Sequence, residues 1–327
     1  MKNDFFRKIT PIKIVNLLKN RASYAISNSS KSGQIKGMPI SLSIEPAAIC
    51  QLHCPECTLG SQNLERTNKF MDLELYKKII DEAAPNLLYL MLYFQGEPFL
   101  SPTIFEMIHY ANAKHIFTTT STNAQTIDKT LAKKIVESGL QKLIISLDGV
   151  TQETYEKYRV GGNLDKTLQA IKFITEEKKI NNSNYPKLEL QMIVFRHNEH
   201  EIEQFKKICK KLNVQKITIK TAQIYNYTNK IDLIPTIKKY SRYKLINGNW
   251  TLKHKLHNRC LRMWQGAVIT TDGELLPCCF DKNASHSYGN LTKKSLKELW
   301  HSEKALAFRK QLLHHRREID ICQNCSE

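Results

Sequence analysis

The stretch Pro39-Ile-Ser-Leu-Ser-Ile-Glu-Pro-Ala-Ala-Ile-Cys50-Gln-Leu-His-Cys54-Pro-Glu-Cys57 points most directly to the fold of this chain. An apolar run of strand length, Ile40 to Ile44, is followed by three cysteines with the spacing C-x3-C-x2-C. The run predicts a β-strand and the cysteines a loop at its carboxyl end. Thiols at such short spacings indicate a metal or cluster site, because the reducing cytosol disfavours disulfides.

The alternation of apolar runs and helical patterns continues to Thr221. The further candidate strands are Leu87 to Phe94, His115 to Thr119, Lys142 to Leu147, Lys187 to Phe195 and Gln215 to Thr221. The candidate helices are Asp72 to Ala83, Thr103 to Ala113, Ile127 to Ser138, Leu164 to Lys178 and Glu199 to Leu212. Six strands alternating with helices predict an α/β fold with a parallel sheet, which either opens flat or curls into a partial barrel. Active groups then gather at the carboxyl ends of the strands.

Composition sets wider limits. The chain has 327 residues, 41% of them hydrophobic and 24% charged, which is ordinary for about two soluble domains and excludes collagen-like, coiled-coil and disordered classes. Forty-nine Lys and Arg against 31 Asp and Glu leave a net charge of +18. This charge suits an anionic partner such as nucleic acid, a phosphorylated substrate or a membrane surface. No apolar run is long enough to span a bilayer, so we expect a cytoplasmic protein.

Residues 1–38 form a basic amphipathic segment followed by a linker. Polar residues interrupt residues 1–21, so this stretch is not a signal peptide. Its apolar residues, among them Phe5, Phe6, Leu17 and Leu18, are interspersed with Lys and Arg. Two interpretations follow: a helix packed on the next domain, or peripheral contact with anionic lipid at the inner face of the membrane.

A second cysteine set lies beyond the connection formed by residues 222–258. In the unit 259–327, Cys260, Cys278, Cys322 and Cys325 have the spacing C-x17-C-x43-C-x2-C. Four thiolates hold either zinc or a 4Fe–4S cluster, and the spacing leaves both open. Because the unit is small and loop-rich, the bound metal would contribute to its folding.

The three-cysteine loop after the first strand of a six-fold strand-helix series resembles the radical S-adenosylmethionine (radical SAM) enzymes, over residues 39–221. The resemblance implies a partial (β/α)6 TIM-like barrel. It also implies that Cys50, Cys54 and Cys57 hold three irons of a 4Fe–4S cluster and that S-adenosylmethionine chelates the fourth iron. One electron from the reduced cluster would then cleave the cofactor to a 5′-deoxyadenosyl radical, which abstracts a substrate hydrogen.

The same resemblance assigns residues to the cofactor. Gln95-Gly96-Glu97-Pro98 looks like the Gly-Gly-Glu-Pro turn that holds the amino group of S-adenosylmethionine, with Gln95 in place of the first glycine. Ser146 matches a contact to the nucleoside or amino-acid part, Arg159 the partner of the carboxylate and Met192 an apolar contact to adenine. The cofactor-binding residues implied are Glu56, Gly96, Glu97, Ser146, Arg159 and Met192; no catalytic base is identified.

The C-terminal unit resembles the twitch extension and a truncated SPASM extension found in this superfamily. Cys260, Cys278, Cys322 and Cys325 are then implied to bind one auxiliary 4Fe–4S cluster with no iron left for substrate, so that this cluster carries electrons. Cys279 stands where sulfatase-maturing relatives have an acidic base, and Asp281 is a candidate replacement. Cys209, on a predicted helix, is an ordinary thiol.

The leading hypothesis is therefore a radical SAM oxidoreductase. It would dehydrogenate a small, anionic substrate by two electrons, with a flavodoxin- or ferredoxin-type electron donor and no nucleic-acid partner. A peptide-modifying radical SAM maturase is the alternative in the same superfamily. A zinc-dependent nucleic-acid-binding protein, suggested by the basic charge and the terminal C-x2-C, is the alternative from another class.

Overall fold

The computed structural model describes residues 8–66 and 69–325, and its centre is a curved, mostly parallel sheet of eight strands. Six strands follow the chain order and pair in parallel: β1 (Ser41–Ile44), β2 (Tyr89–Met91), β3 (Phe117–Thr122), β4 (Lys142–Ser146), β5 (Lys187–Val194) and β6 (Lys216–Thr221). The predicted partial (β/α)6 barrel is confirmed. Parallel strands need crossovers, and helices supply them here.

The helices are α1 (Pro11–Ser30), α2 (Leu73–Ala83), α3 (Ile104–Ala113), α4 (Lys129–Glu137), α5 (Gln152–Tyr158), α6 (Leu164–Ile180), α7 (Ile202–Lys211), α8 (Leu296–Trp300) and α9 (Glu303–His315). Side-chain oxygens of Asp72, Asp128 and Asn163 accept backbone N–H groups and so begin α2, α4 and α6. The short, mostly polar helix α5 was not predicted, because seven residues carry too little apolar periodicity.

The C-terminal unit adds two strands to the same sheet. Strand β9 (Gly266–Ile269) pairs in parallel with β1, and β10 (Leu275–Leu276) pairs antiparallel with β9. Gly266 allows this close approach, since a Cβ there would lie 2.4 Å from the carbonyl oxygen of Ser41. The cysteine-rich unit thus extends the sheet of the barrel, which the sequence did not predict.

The connecting residues cover the three-cysteine loop. They contain the hairpin β7 (Tyr243–Ile246) and β8 (Asn249–Leu252). A small apolar cluster, separate from the main core, joins the loop to this connection and contains Leu52, Cys54, Tyr158, Phe195, Ala222, Ile224, Ile234 and Tyr243. Glu56 adds a polar link, because its carboxylate lies 2.5 Å from Lys230 Nζ and accepts the N–H of Tyr225 at 2.6 Å.

The N-terminal segment is helical, as one of its two interpretations expected. Tyr24 of α1 packs edge-on against Trp264 with 5.4 Å between the ring centroids. Residues 1–7, which carry part of the predicted basic segment, lie outside the described residues. Within the described ranges, no helix has both the length and the apolar character needed to cross a bilayer.

Candidate active site

Cys50, Cys54 and Cys57 line one cavity of about 390 Å³ at the carboxyl edge of the parallel strands. Cys50 Sγ accepts the N–H of Leu52 at 3.4 Å and the amide of Asn123 at 3.5 Å. Burial raises the pKa of the Cys50 thiol to about 11, partly offset by the Leu52 N–H. A bound iron would favour the thiolate, so this donor set fits a metal cluster.

The turn after β2 has no room for a larger residue at its glycine. A Cβ on Gly96 would lie 2.2 Å from the carbonyl oxygen of Ala47. Next to it, the buried Glu97 carboxylate accepts the Thr122 hydroxyl at 2.7 Å and the N–H of Asn123 at 2.8 Å. Burial raises the pKa of Glu97, and these hydrogen bonds oppose the rise. Glu97 thereby ties the turn to the end of β3.

Gln95, the departure from the family's turn, also lines this cavity. Its side-chain oxygen is buried and has no hydrogen-bond partner among the described residues. A buried acceptor left unpaired costs about 1–3 kcal/mol. The Gln95 oxygen therefore offers an acceptor to a donor group of a bound molecule.

Arg159 forms a buried ion pair at the floor of the cavity. Its Nε and Nη2 each lie 2.6 Å from Asp148 Oδ2, and Asp148 Oδ1 accepts the N–H of Ile193 at 2.6 Å. Nη1 lies 3.8 Å from Cys54 Sγ. Burial lowers the pKa of Arg159, but Asp148 and Cys54 outweigh burial and raise it above its usual range. The guanidinium stays charged, and Asp148 is a site residue to which sequence reasoning gave no role.

The structure brings Glu56 and Ser146 to the cavity but not Met192. Met192 is fully buried in the main core, whereas its neighbours Gln191 and Ile193 line the cavity. Successive residues of a strand point to opposite faces of the sheet, so Gln191 and Ile193 face the site and Met192 faces the core. The side chain that β5 offers to an apolar ligand is therefore Ile193.

The second cysteine set also converges. Cys260, Cys278, Cys322 and Cys325 line one small cavity of about 20 Å³, walled by apolar side chains such as Met263 and Phe308. No three His, Cys, Asp or Glu side chains of the described residues are placed to hold one metal ion together. In a four-iron cluster, by contrast, each thiolate binds a different iron.

A larger cavity of about 940 Å³ adjoins the cavities of both cysteine sets. It reaches Cys260 and Cys278 at one end and shares Tyr93, Phe94, Lys220 and Lys282 with the first cavity. Its described lining contains six Lys or Arg and two His but no Asp or Glu: Lys220, His254, Lys255, His257, Arg259, Arg262, Lys282 and Arg316. Sequence reasoning missed this basic wall, because its residues come from distant segments.

The other cysteines and the candidate base lie outside the four-thiol cavity. Cys279 lines the larger cavity, where Arg262 Nη1 lies 3.2 Å from its Sγ. Asp281 is buried, and its oxygens accept the N–H groups of Ser285 and His286. It thus caps a turn. Cys209 is buried in the core, where desolvation raises its pKa to about 12.

Two family models match this chain: the Radical SAM superfamily over residues 44–222 and SPASM, an iron-sulfur cluster-binding domain, over residues 260–326. The tungsten-containing aldehyde ferredoxin oxidoreductase cofactor-modifying protein of Pyrococcus furiosus is 24% identical over 298 residues, which is 82% of each chain. The mycofactocin maturase MftC of Mycolicibacterium smegmatis is 27% identical over 167 residues, 51% of this chain and 41% of that protein.

Among solved structures, Streptococcus suis SuiB bound to S-adenosylmethionine matches this chain with a TM-score of 0.66 and 16% sequence identity. The match covers 93% of this chain and 75% of SuiB. The matched segments contain both cysteine sets. The family therefore implies a 4Fe–4S cluster with S-adenosylmethionine in the first segment and auxiliary iron-sulfur binding in the second, rather than zinc. Three thiols on the loop after the first barrel strand and four around a second cavity agree with this assignment. The chain belongs to the radical SAM superfamily and carries a C-terminal SPASM iron-sulfur cluster-binding domain.

Proposed function

We propose that this enzyme is an oxidoreductase that removes a hydrogen atom from a small anionic substrate and passes an electron to one auxiliary cluster. In this proposal Cys50, Cys54 and Cys57 bind the cluster that contacts S-adenosylmethionine. The four cysteines of residues 259–327 bind the auxiliary cluster. The observation that supports it best is the larger cavity, which shares Tyr93, Phe94, Lys220 and Lys282 with the first cavity. In this proposal it forms the passage towards the C-terminal cysteines.

When bound, the first cluster and S-adenosylmethionine supply the 5′-deoxyadenosyl radical that starts the reaction. The residues of this chain bind and orient. The turn at Gly96 leaves its backbone open to the cofactor's amino group, with the Gln95 oxygen beside it, and Ser146 and Ile193 line the cofactor cavity. Arg159 stays charged to face the carboxylate while Asp148 holds it in place. Tyr93 and Phe94 contribute aromatic side chains to both cavities.

The substrate in this proposal is anionic because the passage is basic. Lys220 and Lys282 lie in the wall shared by both cavities. Arg242 lines the first cavity, and its Nε is buried with no hydrogen-bond partner in the described part of the chain. Cations that line a cavity, together with a buried donor that has no partner, favour a ligand that brings negative charge and acceptors.

A peptide-modifying maturase is the second candidate. The match to the mycofactocin maturase over half of this chain favours it. The passage between the two cysteine sets would then hold one side chain of a peptide. In either case the electron donor we propose is a flavodoxin or ferredoxin, and the protein works in the cytoplasm.

The test of the radical chemistry is the release of 5′-deoxyadenosine by reconstituted protein with dithionite and S-adenosylmethionine. Cys54→Ala should abolish this product, because the first cluster loses a ligand. Cys322→Ala should retain cofactor cleavage but lose substrate oxidation. Cys209→Ala, a buried thiol outside both sites, is the matched control and should behave as the wild type. Wild-type cleavage by Cys54→Ala would show that the site assignment is wrong.

The anionic substrate is tested by calorimetric binding of inorganic pyrophosphate to the same holoenzyme. Lys220→Gln combined with Lys282→Gln should weaken binding at least tenfold, because both lysines line the two cavities. Lys134→Gln, an exposed lysine on α4, should bind as the wild type. If the double variant bound pyrophosphate as tightly as the wild type, the proposal of an anionic substrate would be wrong. The proposal of radical chemistry would be unaffected.

A further inference from the structure

The apolar face of α1 points away from the protein. Five large apolar side chains of this helix are exposed: Ile12 by 60%, Ile14 by 47%, Val15 by 49%, Leu18 by 61% and Ile26 by 62%. A surface helix of a globular protein normally turns such residues toward the core. Here the apolar side of the helix has no cover among the described residues.

The face that α1 turns inward is polar. It consists of Lys13, Asn16, Asn20, Ser23 and Ser27, all buried. Asn16 and Asn20 donate to the carbonyl of Met38 at 3.0 and 2.7 Å, and Lys13 Nζ donates to the carbonyl of His115 at 3.0 Å. These specific hydrogen bonds fix the rotation of the helix. The apolar side therefore cannot turn inward without breaking them.

Helical geometry gathers the exposed apolar residues into one stripe. Val15, Leu18 and Ala22 follow at intervals of three and four, and Ile26 continues them by four. Lys19 and Arg21 lie at the two margins of this stripe and are exposed. An apolar stripe with basic margins is the pattern of a helix that lies in a membrane interface.

The charge around the helix has one sign. Residues 5–44 contain seven Lys or Arg and no Asp or Glu. Anionic headgroups would neutralise this charge, whereas a second copy of the same basic helix would be repelled.

We propose that the outward face of α1 docks this enzyme on an anionic membrane surface. The apolar stripe would insert at the level of the headgroups, and Lys19 and Arg21 would contact lipid phosphates. The inward polar face would keep the helix attached to the barrel. This docking is independent of the proposed radical chemistry and goes beyond it.

The test is co-sedimentation of the full-length, cluster-reconstituted protein with vesicles. We expect binding to vesicles of phosphatidylcholine with 30% phosphatidylglycerol. Binding to pure phosphatidylcholine, or binding in 0.5 M salt, should be at least tenfold weaker. At that salt concentration the Debye length falls to the order of 3–4 Å, so the attraction between opposite charges is screened. Leu18→Glu with Ile26→Glu should weaken binding at least tenfold and leave 5′-deoxyadenosine release unchanged, because both side chains are already in water.

Ile180→Glu is the matched control, since Ile180 is exposed by 75% at the end of α6. It should bind vesicles as the wild type does. Absence of binding to anionic vesicles, or wild-type binding by the double variant, would overturn the proposal. So would a dimer in analytical ultracentrifugation that the double variant dissociates, because the stripe would then be an interface between two copies.

Discussion

Arg316 carries a full positive charge into the wall of the C-terminal cysteine cavity. It is almost fully buried, and its Nη2 lies 3.4 Å from Cys325 Sγ. Its Nη1 donates to the backbone carbonyls of His257 and Arg259 at 3.1 and 2.7 Å, which fixes its place. Charge and hydrogen bonds at the sulfurs set the reduction potential of a cluster. If the four cysteines bind the auxiliary cluster, as proposed, we expect the charge of Arg316 to favour its reduced state.

Replacing this charge should make the auxiliary cluster harder to reduce. We expect Arg316→Gln to lower its midpoint potential by about 60 mV, the equivalent of a tenfold change for one electron. Potentiometric titration followed by electron paramagnetic resonance measures this. Arg316→Lys should restore most of the potential, and Arg317→Gln, its exposed neighbour, should leave it unchanged. An unchanged potential in Arg316→Gln would contradict the role.

For individual residues, local spacing predicted where the cysteines and the Gly96 turn would lie. It did not predict which side chains of a strand would face the cavity. The three-cysteine spacing and the Gly96 turn are short-range features, and the structure places them at one cavity. Which of Met192 and Ile193 faces that cavity depends on how β5 is rotated against its neighbours. A shift of one residue along a strand exchanges its two faces, and the sequence alone did not fix this.

Among the elements, β9 determines how the cluster unit meets the barrel. Ser41 donates its N–H to the carbonyl of Gln265 at 3.0 Å, and Glu45 donates to Ile269 at 2.9 Å. Gly266 lies beside Ser41 with no space for a side chain. The edge of the barrel and the C-terminal unit therefore share backbone hydrogen bonds next to the first cysteine loop.

A methyl group at position 266 should loosen this edge. We expect Gly266→Ala to cost about 1–3 kcal/mol, because a Cβ 2.4 Å from the Ser41 carbonyl forces the strands apart. Hydrogen exchange at the Ser41 and Glu45 amides measures this loss of stability. Exchange at both amides should become at least tenfold faster. Gly248→Ala, in the β7–β8 turn, introduces strain at φ +77° but no clash, because nothing lies within 4 Å of its Cβ. In this variant the Ser41 and Glu45 amides should exchange as in the wild type, because the strain lies away from β9. Unchanged exchange in Gly266→Ala would show that β9 tolerates the methyl group.

For elements, the sequence prediction succeeded where strands and helices alternate repeatedly along the chain. This holds even for β1 and β2, which have only four and three residues. Strands β9 and β10 lie outside the alternation, and α5 is a mostly polar helix of seven residues. Their conformation comes from partners that are distant in sequence, as with β9 and β1.

In the whole molecule, the four cysteines that we propose as ligands of the auxiliary cluster come from segments that are distant in sequence. Cys260 follows the connection, Cys278 follows β10, and Cys322 and Cys325 follow α9. Their thiols surround one small cavity with few other polar contacts. We therefore expect folding of this region to be coupled to the binding of its cluster.

Removal of iron should loosen the C-terminal region selectively. We expect chelated apo protein to be cleaved by trypsin near Arg259, Arg262 and Arg317 at least tenfold faster than the holoenzyme. Cleavage at Lys172 and Lys179, on the long helix α6 of the barrel, should change less than twofold. Peptide mapping of timed digests measures this. Equal acceleration at both places would show that the barrel also depends on the clusters.

The sequence by itself determined the alternation of strands and helices, the family and the position of both cysteine sets along the chain. These features are local: they consist of periodicity, spacing and turn residues within short windows. Only the tertiary structure decided the pairing of β9 with β1, the basic cavity beside the two cysteine sets and the outward apolar face of α1. These features depend on contacts between separate segments of the chain, such as Tyr24 with Trp264 or Phe94 with Lys282. No short window of sequence contains both partners of such a contact.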